Sequence, residues 1–260
     1  MTASEAALAA ALELMARLSG VVLGDEPDIA WLASGRPMAS LNHVHRIRLA
    51  GDDAAVDARI DAVQAAVSHD GELPVTWWIG PGTTPVDLGE RLAARGLEPE
   101  EPEFGMVISV DGVDGVPPAA GDVTLVGPDD LDEWLSVMGR SYGWSDPAAI
   151  AAWTELYRGA IHDAEPPWWH VLVRAGGQAV ACASLFPAGE QGFVTNVGTV
   201  PEARGGGHGT TATLAAIAIA RREGFPLASL TASLMGRAMY ARIGFREEAR
   251  LDRFVSAGRR

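Results

Sequence analysis

NVGTVPEARGGGHGT, Asn196 to Thr210, leaves a β-branched run through Pro201 and enters a long apolar segment with helical spacing. The pattern predicts a strand, a glycine turn and a helix start, in that order. Glycines at 205, 206, 207 and 209 let the backbone come close to a ligand. The first N–H groups of a helix are unpaired, and its dipole places about +0.5 charge there, which suits a pyrophosphate. Arg204 adds a charge-assisted fork for the same phosphates. A flexible turn is the plain alternative, and taken alone the stretch favours phosphate binding only modestly.

What surrounds the turn excludes two other phosphate loops. Every basic residue is Arg, so the lysine of a Walker loop is missing, and no Schiff base to a carbonyl can form. A dinucleotide fingerprint needs a third glycine where Thr210 and Ala212 stand.

Composition narrows the class further. A chain of 260 residues, 48% hydrophobic and 21% charged, has the balance of a folded globular protein with one or two domains. Its net charge of −14 repels nucleic acid and favours a cationic small partner. The single cysteine, Cys182, cannot form an intrachain disulfide or a multi-cysteine metal site, so no metal and a cytoplasmic setting are expected. Met1 to Arg17 reads as a structural helix carrying Glu5 and Glu13, without the basic start of a signal peptide. The other apolar runs are too short for the ~20 residues that span a bilayer, so no membrane partner is expected.

Asp111 to Gly121, DGVDGVPPAAG, concentrates proline and glycine. This places a linker at 113–121, an N-terminal domain at 1–112 and a C-terminal domain at 122–260. Both halves read as α/β. The first has strands at Val44 to Leu49, Val75 to Gly80 and Met106 to Val110, with helices at Ala54 to Val67 and Pro85 to Arg95. The second opens with a strand at Val123 to Val126, helices at Asp130 to Met138 and Ala148 to Ile161, and strands at Trp168 to Arg174, Ala179 to Phe186 and Phe193 to Val200. A helix from about Gly209 to Arg222 follows, then a strand at Leu227 to Ser233, a helix at Met235 to Arg242 and a strand near Ala249 to Val255. A weak echo aligns Leu88 to Glu101 with Gly236 to Ala249, placing Leu92 opposite Tyr240.

Arg204-Gly205-Gly206-Gly207-His208-Gly209 resembles the R-x-x-G-x-G pyrophosphate loop of the GNAT acyl-CoA N-acyltransferases, introduced by Thr199-Val200-Pro201. The segment from Ser233 through Tyr240 to Gly244-Phe245 resembles the family's closing helix, tyrosine and Gly-Phe pair. The resemblance spans about Asp122 to Val255, and the echo extends it toward a tandem protein with a degenerate N-terminal copy. It implies a mixed central sheet flanked by helices in the C-terminal domain, with a second GNAT-like domain before it. It implies acetyl-CoA as acyl donor, with Val197, Gly198 and Thr199 pairing with the pantetheine arm. Arg204, Gly205, Gly206, Gly207, His208, Gly209 and Thr210 then cradle the pyrophosphate, and Tyr240 protonates the departing thiolate. Tyr142, Trp144 and Asn196 fall on the acceptor side, where an amine attacks the thioester directly. The general base is left open among Glu155, His170, Glu190 and a water chain. Ser233 stands where the family often has Asn, and as a serine it serves as a helix N-cap.

Rival readings are weaker. Gly139-Arg-Ser141-Tyr-Gly143 fits G-x-S-x-G, but a helical pattern precedes it where a nucleophile elbow needs a strand. His43 and His45 share one strand face without an evident third metal ligand. Trp77-Trp78 and Trp168-Trp169 read as sheet and core residues. A protein that binds acyl-CoA as a sensor or scaffold, without transferring the acyl group, is the alternative function.

Overall fold

A computed structural model of the chain describes residues 1–18, 20–113, 120–144, 147, 150–151, 153–157 and 168–258. The fold is mixed α/β. Its contacts divide into two units, Met1–Gly105 with Glu248–Arg260, and Met106–Glu247.

The first unit begins with α1 (Ala3–Leu14), whose start is closed by a capping box between Thr2 and Glu5. Its strands are β1 (Val22–Asp25), β2 (Ala30–Ala33), β3 (Asn42–His45) and β4 (Val75–Ile79), joined by α2 (Asp53–Ser68) between β3 and β4 and followed by α3 (Leu88–Ala94) and β5 (Glu98–Ser109). Along α2, Val56, Ile60, Val63 and Val67 recur at helical spacing and are buried against Val44, Val75 and Trp77 of the sheet. β3 and β4 run parallel, with His43 opposite Thr76 and Val44 opposite Trp77. α2 is therefore the crossover of a strand-helix-strand unit.

The second unit contains β6 (Asp122–Leu125), α4 (Leu131–Ser141), α5, whose described residues lie within 147–157, β7 (Trp169–Ala175), β8 (Gln178–Ala188) and β9 (Gln191–Thr199). Then come α6 (His208–Arg222), β10 (Leu227–Ala232) and α7 (Leu234–Ile243), and the chain returns to the first unit through β11 (Arg246–Ser256). Within the second unit the strands lie in the order β5-β10-β9-β8-β7-β6. α6 buries Ala212, Ala216, Ile217 and Ala220, and these mostly small residues let the helix approach β8 and β9 closely. α7 starts on Ser233, whose Oγ accepts from the Gly236 N–H at 3.2 Å, and ends on Gly244 at φ 113°.

Several elements differ from the sequence expectation. The strand at Val44 to Leu49 ends at His45, because Arg46 adopts φ 51° and turns the chain while Ile47 and Leu49 still bury. β1 and β2 have four residues each and carry too short an alternation to stand out. β5 extends back to Glu98 through an acidic, proline-containing run. Most of the proline- and glycine-rich segment, 114–119, lies outside the described residues. The contacts of the described residues divide the chain within β5 and β11. The cause is topological: Asp252 to Ser256 of β11 pair antiparallel with Ile79 to Val75 of β4, so the C-terminal strand completes the first unit. Ser141 is helical and its Oγ donates to the Met138 carbonyl at 2.8 Å, so G-x-S-x-G forms no elbow. The helix expected at Ala148 to Ile161 is helical at 150–151 and 153–157, and 148–149, 152 and 158–161 fall outside the described residues.

Candidate functional site

β9 and β10 are parallel strands joined by α6, yet they pair only at Gln191, Gly192 and Phe193 with Leu227, Ala228 and Ser229. Beyond Phe193 the two strands share no ladder, and Thr195 to Thr199 are half-buried on an edge that β10 does not cover. The opening lies at the carboxyl ends of two parallel strands, where α/β units place ligands.

A bulge gives the open edge its shape. Cys182 faces Gly198 and Ser184 faces Thr195, so Asn196 and Val197 together oppose Ala183. Asn196 takes φ 52°, a conformation asparagine tolerates better than most side chains. Its Nδ2 donates to the Tyr157 hydroxyl at 2.8 Å and to Ser184 Oγ at 3.1 Å. Ser184 Oγ also meets His170 Nδ1 at 2.7 Å, which ties the bulge to β7. Cys182 Sγ donates to the Asn196 carbonyl at 3.3 Å.

Burial sets the charge states of this network. It raises the Tyr157 hydroxyl well above the usual tyrosine range, pushes the Cys182 thiol up to about 12 and lowers His170 to about 3. All three are neutral near pH 7. Cys182 is thus an inert buried residue.

Downstream of the bulge, glycine is required by its neighbours. A Cβ at Gly198 would stand 2.0 Å from Ser141 Oγ of α4, and one at Gly206 would stand 2.7 Å from His208 Nε2. Gly205 and Gly207 have φ of 81° and 83°. Gly207 is the N-cap of α6 and brings no side chain to its open end. The N–H groups of Gly205, Gly207, His208, Gly209 and Thr210 have no hydrogen-bond partner among the described residues. These five donors at a helix start form a cradle for an anion. His208 does not offer its ring to that cradle through Nδ1, which meets the Ala120 carbonyl at 2.7 Å.

Arg204 is held differently from the fork the sequence indicated. Its Nε donates to the Thr199 carbonyl at 3.3 Å and its Nη2 to the Ser141 carbonyl at 2.9 Å, binding the turn to β9 and to the end of α4. On the far side, an added Cβ at Gly209 would lie 3.4 Å from Met239 Sδ, so α7 borders the start of α6. Tyr240 follows Met239 on α7, is buried and packs edge-on to Phe245 at 5.9 Å.

Two of the residues expected on the acceptor side, Tyr142 and Trp144, join one aromatic stack. Tyr142 is half exposed, and its hydroxyl donates to the Val197 carbonyl at 3.5 Å. It stacks on Trp144 at 5.9 Å, Trp144 on Trp153 at 5.5 Å, and Trp153 reaches Tyr157 at 5.2 Å. The structure thus brings Tyr142, Trp144 and Asn196 together around Val197. Glu190 is not brought there: it sits in the β8–β9 turn, seven residues or roughly 23 Å of extended strand from Val197. Glu155 is exposed on α5, while His170 is buried and connects to Asn196 only through Ser184. Sequence reasoning missed Ser141, Tyr157 and Ser184, which shape the bulge through partners far along the chain. The only local signal was an asparagine ahead of Val-Gly at the strand's end.

Comparison with known proteins agrees with this geometry. The family described as the acetyltransferase (GNAT) family matches residues 129–245. No curated protein matches the chain. A solved GCN5-related N-acetyltransferase from Kribbella flavida superposes with a TM-score of 0.74 at 19% identity, covering 100% of this chain and 97% of that one. A conserved protein of unknown function from Staphylococcus epidermidis gives 0.71 at 12% identity, over 93% of this chain and 96% of that one. A tandem GNAT protein from the clavulanic acid biosynthesis pathway gives 0.59 at 16% identity, over 98% and 96%. The fold of nearly the whole chain is therefore shared with these proteins.

Proposed function

We propose, from the match of residues 129–245 to the acetyltransferase (GNAT) family, that the chain is a cytoplasmic, acetyl-CoA-dependent N-acetyltransferase acting on a primary amine in a ternary complex. The observation that carries the reading is the parting of β9 from β10 beyond Phe193, which leaves a bare strand edge leading into five unpaired N–H groups. The pantetheine arm of acetyl-CoA lies along Val197, Gly198 and Thr199 like an added strand. Its pyrophosphate rests on Gly205, Gly206, Gly207, His208, Gly209 and Thr210, with Arg204 holding the turn in place and offering its remaining donors.

A thioester is already activated, so orientation and carbonyl polarisation supply most of the acceleration. The bulge turns the backbone at Asn196 and Val197 so that an N–H on the open edge faces the thioester oxygen. A neutral amine attacks the carbonyl carbon, the C–S bond breaks, and Tyr240 gives its proton to the leaving sulfur. The amine proton leaves through water or to the exposed Glu155 of α5, since His170 is buried and neutral and Glu190 is remote. Tyr142 and Trp144 form the acceptor wall, and the acidic chain favours a cationic amine. Residues 1–112 act as a degenerate copy without a cofactor cradle.

Thiol release from acetyl-CoA with a panel of primary amines tests the reading. Amine-dependent release supports it; acetyl-CoA binding without amine-dependent release leaves a sensor or scaffold as the function and contradicts it.

A further inference from the structure

Two residues make the bulge of β9, and each is met by a tyrosine from outside the sheet. Asn196 Nδ2 donates to the Tyr157 hydroxyl at 2.8 Å, and the Val197 carbonyl accepts from the Tyr142 hydroxyl at 3.5 Å. These tyrosines are the two ends of one column of rings, Tyr142, Trp144, Trp153 and Tyr157, with centroids 5.9, 5.5 and 5.2 Å apart in turn. The column starts at the C-cap of α4 and ends on α5, so it ties both helices to the same two residues of the strand.

Asn196 needs that support. A bulge that sets two residues against one is commonly built with its first residue near the right-handed helical region, and the left-handed form normally takes glycine. Here an asparagine takes it, at φ 52° inside a nine-residue strand, a conformation that persists where the surroundings over-determine it. The second amide proton of Asn196 goes to Ser184 Oγ at 3.1 Å, which leaves the serine its own proton for His170 Nδ1 at 2.7 Å. Both donors of the Asn196 amide are therefore committed. Tyr157 is buried and packs on Trp134 at 5.2 Å, so the oxygen it offers is fixed in place.

We propose that Tyr157 is a positioning residue: through Asn196 it selects the left-handed form of the bulge, which aims the open edge at Val197 toward the thioester oxygen. The proposal rests on the reading of β9 as the acetyl-CoA edge. Tyr157→Phe, Asn196→Ala, Asn196→Gly and the double variant Tyr157→Phe/Asn196→Gly test it. Tyr157→Phe keeps the ring and its stacking and removes only the oxygen. Two quantities are read: the three-bond coupling between the amide and α protons of residue 196 in the unliganded protein, which reports φ, and kcat and KM for acetyl-CoA. The coupling is expected to leave the parent value in Asn196→Ala and, by less, in Tyr157→Phe. A misaimed edge still binds the cofactor, so kcat falls about tenfold in Tyr157→Phe and about thirtyfold in Asn196→Ala while KM stays within about twofold. Asn196→Gly retains more turnover than Asn196→Ala, because glycine reaches φ 52° unaided, and adding Tyr157→Phe to it costs nothing further. Coupling at the parent value in both single variants shows that strand register alone sets the bulge and overturns the proposal. A Tyr157→Phe enzyme with the parent's kcat, or one whose loss is as large in the glycine background as in the parent, overturns it too. A parent without amine-dependent turnover removes the proposed function, and the coupling then decides the role of Tyr157 by itself.

Discussion

The two strand-helix-strand units, β3-α2-β4 and β9-α6-β10, share connectivity and differ at the start of the helix. α2 is N-capped by Asp52, whose carboxylate accepts from the Ala55 N–H at 2.9 Å, and Asp53 adds a second acidic group in the first turn. α6 is N-capped by Gly207, with no side-chain cap and no acidic residue in its first turn. The turn ahead of α2 drives Ile47 and Leu49 into the core, whereas the turn ahead of α6 is glycine-rich and exposed. The same backbone plan closes a helix with its own carboxylate in one unit and leaves the helix end without a side-chain cap in the other. A similar contrast follows β4 and β10: α3 buries Leu92 where α7 carries Tyr240, and Gly96 and Gly244 both turn left-handed behind them.

The largest expected effect comes from giving the open helix the feature of the closed one. We predict that Gly207→Asp weakens acetyl-CoA binding at least about a hundredfold in a titration, because a fixed carboxylate then meets the pyrophosphate. Equal affinity in that variant would erase the distinction between the two helix starts. Tyr240→Phe is predicted next, with kcat down about a hundredfold and acetyl-CoA affinity nearly unchanged, as for loss of a general acid. Turnover at the parent rate would remove Tyr240 from the mechanism.

Acid sharpens the comparison. Burial lowers His43 to about 4 and His45 to about 3 in the first unit, and His170 to about 3 in the second. Below the unfolded value near 6.5, the unfolded chain binds protons that these folded histidines refuse. Stability therefore falls as pH drops from 6.5 toward 4, by about 1.4 kcal/mol per pH unit for each. With two such residues against one, the first unit is predicted to lose hydrogen-exchange protection earlier than β8 and β9. Protection that decays at the same rate in both units would contradict this. The smallest effect is Asp52→Ala, expected to cost about 1 kcal/mol in denaturant melts and to leave acetyl-CoA binding unaltered.

Much of the second unit was legible because its signals are local. A glycine turn after a β-branched run, small residues at helical spacing and a Gly-Phe pair after a tyrosine each lie within a few residues, and the strands and helices appear there within a few residues of expectation. The first unit was harder to read, since β1 and β2 are short and β11, its completing strand, comes from the far end of the sequence. At the candidate site the glycine turn and the helix start behind it could be read directly. The hydrogen bonds of Arg204 to Thr199 and Ser141 could not, because one partner lies 63 residues away. The network joining Asn196 to Tyr157, Ser184 and His170 likewise depends on strand register, which periodicity alone does not fix.

The central claim is that one anion cradle, at the start of α6, binds acetyl-CoA. Calorimetric titration of the full-length chain and of its Gly207→Asp variant tests it most directly. The account predicts a single acetyl-CoA per chain for the parent and no measurable heat for the folded variant. Two molecules bound per chain, binding that survives in the variant, or a folded parent that takes up none would contradict it.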